Sequence, residues 1–497
     1  MMSVMTCPSV QALSDHDLLR YLQCPHWLYW ELFADPALKK SEMESREQLM
    51  RGELLKEDKI LDKLYKRRSV TIIHGQDEMA RAGVTERQMR YGSKIIYHGC
   101  LSVDGLVGHP TVLVRTELPS KLGPWSYFPM IVKRRHILRK EDHLQLGWQA
   151  YLLERLQGVC PTEAFIVSPD AERLPSDPRE AQLEVKSIIE ELQRIQHGEC
   201  PEPTLRKACL DTSPWGVCCL ELAERTQDIA LLFQVNRKQR AALRDVGILS
   251  VEQAATMDPA QLSGQDPRLT LKSLQSIQRQ ARSLQEQTII VREPFVRPTP
   301  NVEIHFDIES YPATDTDYLL GCLLRDRAKG TEEYVPFAAK ALISEKRMWV
   351  KFLDWVDTLP EDYIVYHYSM YEEERLEVLA KRYGTQAHSG LKRFQERMVD
   401  LNEVVKDHVV FPLYVYSLKN IGSLIGATWD GEVTHGADSV EVYARWLYLR
   451  RSKDWKALAH YNEEDVRATA RVVDWLTSYA TKEGSYQVPF PWQPEIS

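Results

Sequence analysis

Two rhythms of apolar and polar residues run along this chain, and each change of rhythm marks a change of element. Val302 to Ser310, VEIHFDIES, repeats every second residue. Val302, Ile304, Phe306 and Ile308 share one face of a strand, and Glu303, His305, Asp307 and Glu309 share the other. Tyr318 to Leu324 and Glu333 to Ala338 read as two further strands. Glu345 to Thr358 has helical spacing, with Trp349, Phe352, Leu353 and Val356 on its apolar side. Tyr363 to Tyr368 is an apolar fourth strand, and Glu373 to Tyr383 is a helix. The last helix, Trp455 to Tyr479, carries Tyr461, Asp465 and Thr469 on one stripe at i, i+4 and i+8. The predicted order is three hairpin-like strands, then helix, strand and helix.

Upstream, the pattern is also mixed. A helix capped by Ser14 turns Leu18, Leu19, Tyr21 and Leu22 inward. A charged helix is expected from Glu42 to Tyr65. Strand-like runs follow at Val70 to Ile73, Lys94 to Val103, Val107 to Arg115 and Tyr127 to Lys133. A helix from Leu144 to Gln157 and a short strand from Thr162 to Val167 complete that block. From about Thr226 to Gln287 the chain is polar and helical, with a helix, turn, helix over Arg237 to Thr256 and a long helix from Leu271 to Glu286. Pro294, Pro298 and Pro300 then mark a boundary. The reading is an α/β multidomain protein with domains at 1–225, 226–295 and 296–497.

Composition narrows this only a little. At 497 residues, the chain is too long for one ordinary core. Its 43% hydrophobic and 27% charged residues are those of a globular protein. No apolar run approaches a membrane span, and Met1 to Asp15 lacks a signal-peptide pattern, so no membrane partner and a cytoplasmic location are expected. The net charge of -8 argues against non-specific duplex binding by bulk charge, but local patches decide such binding. Lys133, Arg134, Arg135, His136, Arg139 and Lys140 form one basic run, and Lys66, Arg67 and Arg68 a weaker one. Such runs are as often a solvated surface as a phosphate contact.

Candidate chemistry concentrates in the last section. Asp307 and Glu309 project from the same face of one strand, and two like charges side by side are unfavourable unless a cation neutralises them. This section resembles the DEDD exonuclease superfamily, and most closely its YprB-type ribonuclease-H-like branch. The superfamily's D-x-E motif matches Asp307 and Glu309. Its second motif falls on His367-Tyr368-Ser369-Met370-Tyr371-Glu372, with Glu372 where aspartate is usual. Its Y-x-x-x-D motif matches Tyr461 and Asp465, and Ser417-Leu418-Lys419-Asn420 resembles the segment that precedes the last helix. The resemblance implies two Mg²⁺ or Mn²⁺ ions ~4 Å apart, held by Asp307, Glu309, Glu372 and Asp465, with Tyr461 orienting the attacking water. It implies 3′ to 5′ hydrolysis of DNA or RNA, most naturally at single-stranded ends. His305 and His367 are expected to pack near the site rather than bind metal.

The first section resembles RecB-like nucleases of the PD-(D/E)XK class. Leu18 to Asp35, LLRYLQCPHWLYWELFAD, is similar to their opening, and Gly108 to Lys133 to their core. Thr111 stands where the family's aspartate is expected, and Ile131-Val132-Lys133 where D/E-x-K is expected. Gln145 is kept, and Gln149 takes a usual tyrosine position. Without both carboxylates the domain is expected to be silent, and to hold nucleic acid through Lys133, Arg134, Arg135, Arg139 and Lys140. Such nucleases often carry a 4Fe-4S cluster. Cys24 fits its first ligand, and Cys209 and Cys218 keep the outer spacing of the late motif, but Thr212 replaces the middle cysteine. Cys219 or Cys200 is a substitute ligand; zinc, or buried thiols alone, are the competing readings.

Lys238 to Met257 resembles a helix-hairpin-helix, with its turn at Val246-Gly247-Ile248. A metal-dependent exonuclease is therefore expected. The alternative is a non-catalytic nucleic-acid-binding or complex-assembly protein with two degenerate nuclease folds.

Overall fold

The computed structural model describes residues 12–39, 60–61, 65, 70–75, 77–133, 138–168, 170–203, 205, 213–233 and 235–487. The chain forms two compact units, residues 1–204 with 213–219, and 205–212 with 220–497. The stretch expected as a connector, 226–295, belongs to the same unit as the last section. No helix among the described residues is long and apolar enough to cross a membrane.

In the first unit, β1 (Leu13–Ser14) leads into α1 (Asp15–Gln23), then α2 (His26–Phe33), β2 (Thr71–Ile72) and α3 (Glu78–Tyr91). Ser14 caps α1, and Asp17 returns the bond to the Ser14 backbone. Strands β3 (Ile95–Tyr97), β4 (Leu101–Val103), β5 (Leu106–Gly108), β6 (Val112–Thr116) and β7 (Ser126–Val132) follow. Next come α4 (Lys140–Gln157), β8 (Phe165–Val167), β9 (Arg173–Pro175) and α5 (Pro178–Gln196). One sheet runs β2-β3-β6-β7-β8-β9 and a smaller one β1-β5-β4. Two expected strands are therefore each split. Lys94 to Val103 breaks at His98, whose φ of 52° is left-handed, and Val107 to Arg115 breaks at Pro110. The helix expected over Glu42 to Tyr65 lies mostly outside the described residues; Ile60, Leu61 and Tyr65 are helical and buried. The core gathers Leu18, Leu28, Leu113, Tyr127, Trp148, Leu152 and Val185. A last helix, α6 (Gly216–Arg225), begins in this unit and continues in the second.

The second unit opens with α7 (Arg237–Asp245), α8 (Val251–Thr256) and α9 (Leu271–Glu286) around their own core. Asn236 and Ser250 cap the first two, and Gly247 takes φ 83° in the turn between them. Then β10 (Thr288–Val291), β11 (Val302–Tyr311), β12 (Thr316–Asp326) and β13 (Thr331–Ala338) appear. After them run α10 (Glu345–Val356), β14 (Tyr363–His367), α11 (Tyr371–Tyr383), α12 (Ser389–Glu396), β15 (Met398–Asp400), α13 (Leu401–His408) and β16 (Val409–Val410). The chain finishes with α14 (Leu418–Leu424), α15 (Gly436–Leu449), α16 (Ser452–Tyr479) and β17 (Gly484–Gln487).

The main sheet has the order β13-β12-β11-β14-β15. Its first three strands are antiparallel, and β14 and β15 run parallel to β11. The period-two pattern of β11 decides which face is which. Val302, Ile304, Phe306 and Ile308 enter a core with Trp349, Phe352, Val356, Leu376 and Leu379. The opposite face meets α16, where Leu323 of β12 packs on Val466 and Ala470. This second face is the one that carries Asp307 and Glu309.

Candidate active site

Asp307 and Glu309 sit two residues apart on β11, and a register irregularity follows directly between Glu309 and Ser310. Asp465 comes from the buried face of α16. One carboxylate oxygen from each of Asp307, Glu309 and Asp465 lies within 4.8 Å of the other two. Each acid is held by named donors. Asn462 donates to Asp307 Oδ2 at 2.6 Å. Ser439 and Tyr318 donate to Glu309 Oε2 at 2.8 and 3.2 Å. Trp429 Nε1 donates to Asp465 at 2.7 Å.

Three crowded carboxylates disturb one another. Burial, and then the charges of Asp465, Glu309 and Glu372, push the Asp307 carboxyl well above the ordinary range against the Asn462 bond. Burial and Asp465 push Glu309 up to about 8, against Ser439, Tyr318 and Lys419. Burial raises Asp465 to about 6, with Lys419, Trp429 and Tyr461 opposing. Lys419 is the nearby cation, its Nζ 4.6 Å from the Tyr461 ring centroid and 5.6 Å from that of Trp429. Tyr461 is buried; desolvation and the three acids hold its phenol well above the usual value, so it stays a donor.

Glu372 stands apart from this trio. It is buried in the first turn of α11, with Oε2 3.5 Å from His367 Nδ1. Its oxygens are not among those that converge, although its charge reaches Asp307. Burial raises its pKa against the pull of His367. His367 also meets Glu373 at 3.1 Å. His305 stacks on Tyr366 with centroids 5.5 Å apart, and burial with Arg325 and Arg297 keeps it neutral. Sequence reasoning passed over Asn462, Ser439, Tyr318 and Trp429. A faint signal existed only for Asn462, which lies inside the Tyr461 to Asp465 motif.

Residues 304–477 match the family model RNase_H_2 of the RNase_H superfamily. The last domain is ribonuclease-H-like. The sheet order of this ribonuclease-H-like domain, its three antiparallel strands followed by two parallel ones, agrees with that match. The match suggests a fold of the nuclease, nucleic-acid-processing type. No curated protein matches the chain.

In the first unit, Thr111 and Lys133 lie at the same end of the neighbouring strands β6 and β7. Lys133 Nζ donates to Gln145 at 3.0 Å and pairs with Asp142 at 3.2 Å. Gln145 continues to Asp15, which also accepts from Gln149, from the His109 backbone and, at 2.7 Å, from the His109 ring. Glu78 meets the other ring nitrogen of His109 at 3.0 Å. Sequence reading did not count Asp15 or Asp142 here. Both are engaged, and the hydrogen bond and charge of Asp15 lift His109 to about 10 despite its burial. Of the basic run, Lys140 pairs with Glu184 at 2.7 Å, and Arg139 is the N-cap of α4, its backbone N–H donating to Asp142 Oδ2 at 3.0 Å, while Arg134 and Arg135 lie outside the described residues. Among the cysteines, Cys24, Cys218 and Cys219 are buried, and Cys209 lies outside the described residues.

Proposed function

We propose that this protein is a metal-dependent exonuclease that hydrolyses single-stranded DNA or RNA from the 3′ end in its ribonuclease-H-like domain. The observation that carries the reading is the convergence of Asp307, Glu309 and Asp465 within 4.8 Å. Three buried or half-buried carboxylates with raised pKa values form a hard-oxygen donor set that favours Mg²⁺ or Mn²⁺. These residues would hold the ions, with Glu372 completing the set from α11. Bound there, such ions supply an activated water and charge stabilisation at the leaving oxygen.

The remaining roles belong to the chain itself. Asn462, Ser439, Tyr318 and Trp429 fix the carboxylates so that little reorganisation is needed on loading. Tyr461, protonated at any working pH, donates to the attacking water or to a phosphate oxygen. Lys419 offsets negative charge next to Glu309 and Asp465. In the first unit, two of the cations expected to hold nucleic acid are committed within the fold. Lys133 and Lys140 are already paired with Asp142 and Glu184.

The test is digestion of 5′-labelled single-stranded DNA and RNA in Mn²⁺. Stepwise shortening from the 3′ end is expected, lowered about a thousandfold in Asp307→Ala. Binding without cleavage would leave a nucleic-acid-binding protein. Cleavage that survives Asp307→Ala but not Lys133→Ala would move the activity to the first unit.

A further inference from the structure

A second set of soft and borderline ligands lies in the first unit, remote in sequence from the acids. Cys24, His26 and Cys219 are all buried, and one ligand atom of each lies within 4.8 Å of the other two. The sulfurs of Cys24 and Cys219 are 3.9 Å apart, although 195 residues separate them in the chain. Local structure explains the first pair. Cys24 is the C-cap of α1, and Pro25 then starts α2 with His26 at its first position. The sharp corner brings two residues spaced C-x-H onto one side. Cys219 arrives from the second turn of α6.

The resemblance to RecB-like nucleases implies a four-iron cluster at these cysteines. Cys209 lies outside the described residues, and the donors that converge among the described residues do not fit one. A cubane takes four thiolates, each on a different iron, so its ligand sulfurs are held apart by the metal–metal separation as well as by two bonds. Here two sulfurs approach to 3.9 Å, and the third converging donor is an imidazole. The sulfur separation instead matches one shared ion. Two thiolates bound at 2.3 Å to a tetrahedral zinc have sulfurs about 3.8 Å apart. The surroundings agree: Trp30 Nε1 donates to Cys219 Sγ at 3.3 Å, the outer-shell bond that a bound thiolate receives. The Trp30 ring also stacks on His26, centroids 5.9 Å apart, which fixes the imidazole plane.

We infer that Cys24, His26 and Cys219 supply three of the four ligands of a single tetrahedral Zn²⁺ ion that ties the α1–α2 corner to α6, in place of an iron–sulfur cluster. The ion serves as a structural clamp on the first unit, because binding free energy at such a site is folding free energy. This assignment does not depend on the nuclease reading of the second unit.

Metal content of the full-length chain, purified anaerobically from medium containing both iron and zinc, decides it. About one zinc per chain is expected, with no visible charge-transfer band. Cobalt substitution is expected to give the intense visible bands of a tetrahedral thiolate site. Zinc content should fall at least tenfold in Cys24→Ser/Cys219→Ser and stay unchanged in Cys322→Ser. If the double variant fails to fold, wild-type protein stripped by a chelator and titrated with Co²⁺ answers the same question, with saturation expected at one equivalent. Iron and sulfide at about four per chain would overturn the proposal. So would a Cys24–Cys219 disulfide in the chain as purified anaerobically, or zinc retained in the double variant.

Discussion

The carboxylate of Asp307 depends on a residue that is defined by what it lacks. Asp307 pairs in register with Gly321 on β12. A β-carbon on Gly321 would fall 1.7 Å from Asn462 Oδ1. The glycine therefore leaves the space in which Asn462 accepts from Tyr334 at 2.7 Å and donates to Asp307. Gly321→Ala should push Asn462 off Asp307 and lower exonuclease activity about 10–100-fold, as loss of outer-shell support does. Asn462→Ala should do the same. The double variant should be no worse than either single one, because both act through one contact. Effects that multiply in a kinetic comparison of the three variants would defeat this account. The same position separates what the sequence reveals from what it hides. Asp307 and Glu309 were legible because a strand places i and i+2 on one face. Asn462 was not, because its role comes from a missing side chain on another strand.

At the level of elements, the sequence pattern found strands but not where they stop. Lys94 to Val103 and Val107 to Arg115 each read as one continuous strand, yet each contributes to two sheets. Alternation cannot register a break made by one left-handed residue, His98, and one proline, Pro110. The gap between β5 and β6 is stitched instead by Asp15 in the first turn of α1. It accepts from the His109 backbone and ring, and from Gln145 and Gln149 of α4. Burial opposes its ionisation, but the His109 bond and charge win and hold it at about 2. Asp15→Asn keeps the size and removes the charge opposite a cationic His109. The first unit should lose about 3 kcal/mol, the cost of breaking a buried pair from one side. Urea denaturation followed through Trp148, buried in that core, measures it; a shift below ~1 kcal/mol would mean the stitch is dispensable.

In the second unit's main sheet the three-residue β15 escaped the sequence reading, but the other four strands were legible because each had its own apolar signature. The small sheet β16-β10-β17 was not, since its strands are two to four residues long and pair across more than a hundred positions. Folding that unit gathers acids that repel one another, and this has a consequence for stability. Glu309 at about 8 and Asp465 at about 6 lie above their unfolded values of roughly 4.3 and 3.9. Between those limits the folded, metal-free chain binds more protons than the unfolded one. Its stability must therefore fall as pH rises from 5 through 8. Metal reverses the sign, because only the ionised carboxylates bind it and affinity grows as protons leave. In EDTA, the melting temperature of the second unit should drop on the order of 5 °C between pH 5 and pH 8.5. Saturating Mn²⁺ should raise it little at pH 5 and most at pH 8.5. Asp465→Asn removes one of the charges in conflict, and should flatten the EDTA curve while abolishing the Mn²⁺ gain. A metal-free protein that grows more stable over this range would show that the acids do not share one site.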